Sequence, residues 1–133
     1  MAMPKPLTET ELRAHAAQAA LHQSCADCTA LQKPGWESIS GAMNISHLEY
    51  VGPLGAEDDW DRLDEYHPQG TGLWSPDAPI ALGWHPYNRG ALWRCPRCAG
   101  AYLRYTEHGG YYEEERIRPL RAELLCAPPH GGG

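Results

Sequence analysis

Two Cys-x-x-Cys pairs constrain this chain more than any other feature. Cys25-Ala26-Asp27-Cys28 and Cys95-Pro96-Arg97-Cys98 use four of the five cysteines in 133 residues. A two-residue gap lets both sulfurs of a pair reach one ion while backbone N–H groups point at them. Four thiolates complete the tetrahedral shell that Zn²⁺ prefers, with Zn–S distances of about 2.3 Å. The expected metal ligands are therefore Cys25, Cys28, Cys95 and Cys98, and the expected cofactor is structural Zn²⁺. Four protein ligands leave no open position for water or substrate. In small zinc modules such binding contributes on the order of 10 kcal/mol to folding. Iron in a rubredoxin-type site, a redox dithiol at Cys95 and Cys98, and His22 in place of one cysteine are the alternatives. No βαβ pattern surrounds Cys95 and Cys98, which weighs against the redox dithiol. Cys126 is left over, as a small thiol near the C-terminus.

The rest of the chain sets the class. Its length suits a single domain over residues 1–133, with flexible ends at 1–6 and 127–133. Hydrophobic residues make up 42%, which argues against disorder, while 12 Pro and 14 Gly limit long regular elements. The N-terminal residues lack a signal-peptide pattern and no apolar run reaches membrane-spanning length, so a cytoplasmic location is expected. In a reducing compartment paired cysteines are more often metal ligands than disulfides. The net charge of −6 excludes a generally basic nucleic-acid binder. That charge is uneven: residues 1–88 carry −8 and residues 89–133 carry +2. The acidic excess peaks at Glu57, Asp58, Asp59, Asp61, Asp64 and Glu65, around Trp60.

The patterning predicts an α+β fold. Thr8-x-x-Glu11 is a capping box, and the alanine-rich run behind it predicts a helix to about His22. Residues 29–46 read as loop, Ile45 to Val51 and Ile80 to Trp84 as short strands. Trp60, Leu63 and Tyr66 recur every three residues. One or two helical turns would gather them on one face and put the carboxylates on the other. Ala101–His108 and Tyr111–Leu120 flank Gly109-Gly110, which predicts a C-terminal β-hairpin with a type I′ turn in a small antiparallel sheet. That register sets Arg104 opposite Glu115 and Tyr102 opposite Ile117.

Trp93-Arg94-Cys95-Pro96-Arg97-Cys98 and the strand that follows resemble the second half of a zinc ribbon, over roughly residues 92–120. The usual Gly after the second cysteine is replaced by Ala99, with Gly100 next. The same segment is similar to small bacterial proteins with paired Cys-x-x-Cys motifs. Some of these serve as immunity proteins that neutralise a toxin by direct binding. The resemblance implies a non-catalytic protein-binding module. The partner-binding residues expected from the charge pattern are Glu57, Asp58, Asp59, Trp60, Asp61, Asp64 and Glu65. An acidic surface there suits a basic partner, and Trp is enriched at binding hot spots. A nucleic-acid-binding zinc ribbon is the alternative function. Arg89, Arg94, Arg97, Arg104, Arg116, Arg118 and Arg121, interleaved with aromatics, would supply its phosphate and stacking contacts. No nucleotide-binding, esterase, metalloprotease or deaminase motif is present, so an enzyme is not expected. Scattered His47, His67, His85 and His108 would have to meet in space to change that.

Overall fold

The computed structural model describes residues 5–40, 43–56 and 60–129. Helix α1 spans Glu9–Ala20, and its capping box forms as expected: Glu11 N–H donates to Thr8 Oγ1 at 3.1 Å and Thr8 N–H to Glu11 Oε1 at 3.0 Å. A 3-10 helix, Ala26–Leu31, follows within six residues of α1. The strands are β1 (Glu37–Ser38), β2 (Glu49–Pro53), β3 (Ile80–Ala81), β4 (Ala91–Arg94), β5 (Ala101–His108), β6 (Glu113–Pro119) and β7 (Leu125–Cys126). Five of them form an antiparallel sheet in the order β1-β6-β5-β4-β2, while β3 and β7 make a separate parallel pair. No helix among the described residues is long and apolar enough to cross a membrane.

Central β5 is buried along most of its length, and alternation along it serves two apolar layers. Ala101, Leu103 and Tyr105 join Leu12 and Ala16 of α1, Trp36, Leu92 and Leu120 in the larger layer. Tyr102 instead joins Cys28, Leu31, Leu48, Cys95, Cys98 and Ile117. The paired cysteines thus sit within a small core of their own. On β6, Arg116 and Arg118 flank Ile117 and are buried. Burying a guanidinium is costly unless its N–H groups are satisfied. Arg118 donates to Tyr87 Oη at 2.8 Å and to the Pro76 carbonyl at 3.2 Å, and Arg116 to Tyr105 Oη at 2.6 Å and Glu114 at 2.8 Å.

The hairpin register differs from expectation by two residues. Arg104 pairs with Ile117, Tyr102 with Pro119, and the last pair is His108 with Glu113. The connection is thus the four residues from Gly109 to Tyr112, closed by Gly109 N–H donating to the Tyr112 carbonyl at 2.9 Å. Neither Gly109 nor Gly110 takes a left-handed conformation. Gly109 is needed for a different reason: the Tyr112 ring lies where its Cβ would be. A shift of two keeps every side chain on its intended face. Arg104 still reaches Glu115 at 3.6 Å, diagonally rather than directly across.

Three other segments differ. β2 starts at Glu49 because Asn44 Oδ1 accepts from Ser46 N–H at 3.2 Å and from its hydroxyl at 2.8 Å, turning the chain first. The Ile80 strand stops at Ala81, two residues before the left-handed Gly83. The expected loop 29–46 contains the end of the 3-10 helix and the two residues of β1, which pair with Ile117 and Arg116.

Candidate metal centre

The two cysteine pairs reach the same place by different routes. The second pair occupies the connection between β4 and β5, whose strands pair Arg94 with Ala101 and Trp93 with Tyr102. Cys95 N–H donates to the Gly100 carbonyl at 2.8 Å, so the ladder runs straight into the loop. Ala99 then closes the turn, its N–H donating to the Cys95 carbonyl at 2.9 Å. It does so at φ +61°, the left-handed region that an L-residue adopts at a cost of about 1–2 kcal/mol. This is the position where the zinc-ribbon pattern has Gly. With the Cys95 carbonyl taken by Ala99, the amides of Cys98 and Arg97 are left to donate to Cys95 Sγ.

The first pair is built on the 3-10 helix. Cys25 caps it and Cys28 lies in its first turn. Here the Cys28 amide donates to the Cys25 carbonyl at 3.0 Å, and no amide caps the Cys25 side chain. Cys28 Sγ is served instead by side chains: Tyr102 Oη–H donates to it, and His47 Nε2 lies 3.2 Å away. Gln32 Nε2 fixes the Tyr102 hydroxyl at 2.6 Å. Gly100 has no room for a side chain, since an added Cβ would lie 3.0 Å from the Tyr102 ring and 3.3 Å from Cys98 Sγ.

The four sulfurs converge. All lie within 4.8 Å of one another, with Cys25 to Cys95 at 3.8 Å and Cys28 to Cys98 at 3.6 Å. Cys28, Cys95 and Cys98 are buried and Cys25 is half-buried. None is in a disulfide. A cation of tetrahedral preference fits this donor set, and the four cysteines can hold one metal ion. The thiols respond differently to the site. Burial pushes Cys28 well above the ordinary thiol range, and its Tyr102 hydrogen bond offsets only part of that. Burial also raises Cys95. It pushes Cys98 up as well, but amides of Cys25 and Gly100 with the Cys28 and Cys95 side chains outweigh it and bring Cys98 down to about 7. An ion pair between Arg97 and Asp27, 3.2 Å, ties the two loops together at the surface.

Other candidate residues lie elsewhere. His22 is exposed and lies outside the four-sulfur group. His47 is the histidine that does neighbour the cysteines, and nothing local in the sequence marks it. His67 contacts Glu65 and Thr71, each at 2.8 Å, His85 lies 3.8 Å from Glu107, and His108 3.3 Å from Glu113. These histidines serve separate places. Cys126 is in β7, half-buried, and burial raises its thiol above the ordinary range.

Of the acidic segment, Glu57, Asp58 and Asp59 lie outside the described residues. Trp60, Asp61, Asp64 and Glu65 are exposed, but not on a helix. The segment is an irregular strap, because its backbone oxygens serve the rest of the fold. The carbonyls of Trp60, Arg62 and Asp64 accept, in turn, from Arg89 Nε, Asn88 Nδ2 at 2.9 Å and His85 N–H at 2.8 Å. Tyr66 packs on Trp84, ring centroids 5.3 Å apart, whereas Leu63 stays exposed. Several arginines expected at a nucleic-acid surface are used inside. Arg104 stacks on Trp93 at 4.1 Å, Arg116 on Trp74 at 4.4 Å, and Arg118 is fully buried.

No protein-family model, curated protein or solved structure matches this chain.

Proposed function

We propose that this chain is a non-catalytic protein-binding module, stabilised by one structural Zn²⁺ held by Cys25, Cys28, Cys95 and Cys98. Its partner is a basic protein, of the kind an immunity protein meets when it neutralises a toxin by direct binding. The observation that carries this reading is the strap at residues 60–65. Its carbonyls at alternate residues are hydrogen-bonded inward, while Asp61, Asp64 and Glu65 stay exposed beside Trp60 and Leu63. A held main chain presents acidic and apolar side chains without a large ordering cost on binding. Complementary charge then speeds association. Four sulfurs around one zinc leave it no open position, which suits a structural role.

The test is a pull-down from the native host with the zinc-loaded chain, followed by titration of the captured protein. The reading expects a basic protein whose toxicity to cells is suppressed when this chain is co-expressed. The triple variant Asp61→Asn, Asp64→Asn, Glu65→Gln should then bind at least roughly tenfold more slowly at low salt, and less so at high salt. An unchanged association rate, or capture of no toxic protein, contradicts it.

A further inference from the structure

A cavity of about 100 Å³ abuts the four-sulfur group. Its lining includes Ala19, His22, Gln32, Cys98, Gly100 and Tyr102. Ala19, Gln32, Pro119 and Leu120 also line an open groove of about 570 Å³ beside α1, so the cavity and the groove share a wall. A path from solvent therefore runs along the groove, past Ala19 and His22, to the buried Cys98. Small residues keep it open. Ala19 contributes only a methyl group, and an added Cβ on Gly100 would lie 3.3 Å from Cys98 Sγ and 3.0 Å from the Tyr102 ring. One water needs roughly 15 Å³ of such space, so the cavity has room for an ion with several ligands. The other approach is at Cys25, which is half-buried, and there the Arg97–Asp27 ion pair bridges the two cysteine loops. Cys28 and Cys95 are fully buried.

An ion that enters or leaves such a group trades ligands one at a time. That takes a donor outside the sulfurs and space beside one of them. The cavity supplies both, with the exposed His22 and the buried Cys98 in one lining. A neutral imidazole is a good zinc ligand. Resting on the zinc reading above, we infer that this cavity is the route by which zinc is loaded and released. His22 holds the ion in transit and Cys98 is the first sulfur to receive it. On loading, a ring-nitrogen lone pair of His22 bonds to the ion in place of a water. The Cys98 thiolate displaces a further ligand, the other three sulfurs follow, and each thiol leaves its proton with solvent. Release is the reverse, and nothing is oxidised. Entry and exit then cross one barrier. A plug in the path slows both by the same factor and leaves affinity where it was.

Zinc release from the loaded full chain tests this. Zinc content is measured first, by elemental analysis. Release is followed by transfer to a colorimetric chelator, and affinity by chelator competition at equilibrium. The Ala19→Trp variant should release zinc at least roughly tenfold more slowly at unchanged affinity. Ala19→Leu, a smaller plug, and His22→Ala should each slow release at least roughly threefold, again at unchanged affinity. These two decide the matter where the tryptophan variant does not fold. Ala14→Trp, on the same helix but in a separate cleft with Arg94, should release zinc as wild type does. One zinc per chain with wild-type release in the Ala19 and His22 variants overturns the inference alone. Slower release matched by tighter zinc does so too, since the bound state has then changed. So does faster release in Asp27→Ala with Ala19→Leu unchanged, which places the route at Cys25. No zinc in the chain overturns the zinc reading and the inference together.

Discussion

The two cysteine pairs share a spacing and little else. Cys95 and Cys98 sit in a connection whose two strands are hydrogen-bonded on both sides, so the sheet positions them. Cys25 and Cys28 sit on a six-residue 3-10 helix that contributes no strand to that sheet. Identical motifs therefore carry different energetic burdens. The second pair is largely prearranged by backbone hydrogen bonds, and the first depends on what its sulfurs can bind. The lesson is local: the fate of the third amide after the first cysteine decides the difference. In the second pair that amide is free for sulfur because a left-handed Ala99 occupies the carbonyl. In the first, the carbonyl captures it.

Removing the metal should expose this difference most visibly. Chelation costs on the order of 10 kcal/mol of binding free energy. Amides of residues 26–31 are expected to lose protection from hydrogen exchange, while those of β4 and β5 keep theirs. Equal loss in both regions would erase the distinction between the pairs. Next in size, Trp36→Ala should cost about 3–5 kcal/mol. Trp36 is buried in the layer away from the cysteines, edge-on to Tyr105 at 4.7 Å. Denaturant unfolding should show that loss with one zinc per chain retained, since the two layers lie on different faces. An unchanged unfolding midpoint, or a native variant that has lost its zinc, would contradict it.

Smaller changes test the sulfurs one at a time. Tyr102→Phe removes the hydroxyl donor to Cys28 and should weaken zinc about 10–100-fold in a chelator competition. Affinity should also fall on acidification, since protons compete for the thiolates. The sign follows from Cys28, whose raised thiol pKa favours the protonated form, so zinc must displace a proton there at neutral pH. Competition at pH 8, 7 and 6 should show at least a roughly tenfold loss per unit. A flat profile would mean that thiols are not the ligands. The smallest effect is expected from Ala99→Gly. Relief of the left-handed backbone should exceed the added freedom of the unfolded chain, raising stability by roughly 0.5 kcal/mol.

What the residues alone disclosed was whatever is decided locally or by spacing. The capping box at Thr8 and Glu11 is a contact between residues three apart, and it forms. The Cys-x-x-Cys spacing marks four sulfurs that do converge, although their being a zinc site goes beyond that convergence. The hairpin was visible but its register was not. Gly109-Gly110 satisfies the chemistry of a type I′ turn, yet the Tyr112 ring needs the space beside Gly109, and the loop lengthens to hold it. The acidic strap carries a real three-residue repeat, which is a helical signal, yet it is not a helix. Its shape is set by donors at His85, Asn88 and Arg89, more than 20 residues away. His47, 19 residues beyond Cys28, carries no local sign of its role.

X-ray absorption at the zinc edge, on the purified full chain, bears most directly on the tetrathiolate centre. The account predicts one zinc per chain with four sulfur neighbours at about 2.3 Å and no lighter scatterer. A shell containing nitrogen or oxygen, as when His47 replaces a cysteine, or a chain purified without zinc, would contradict it.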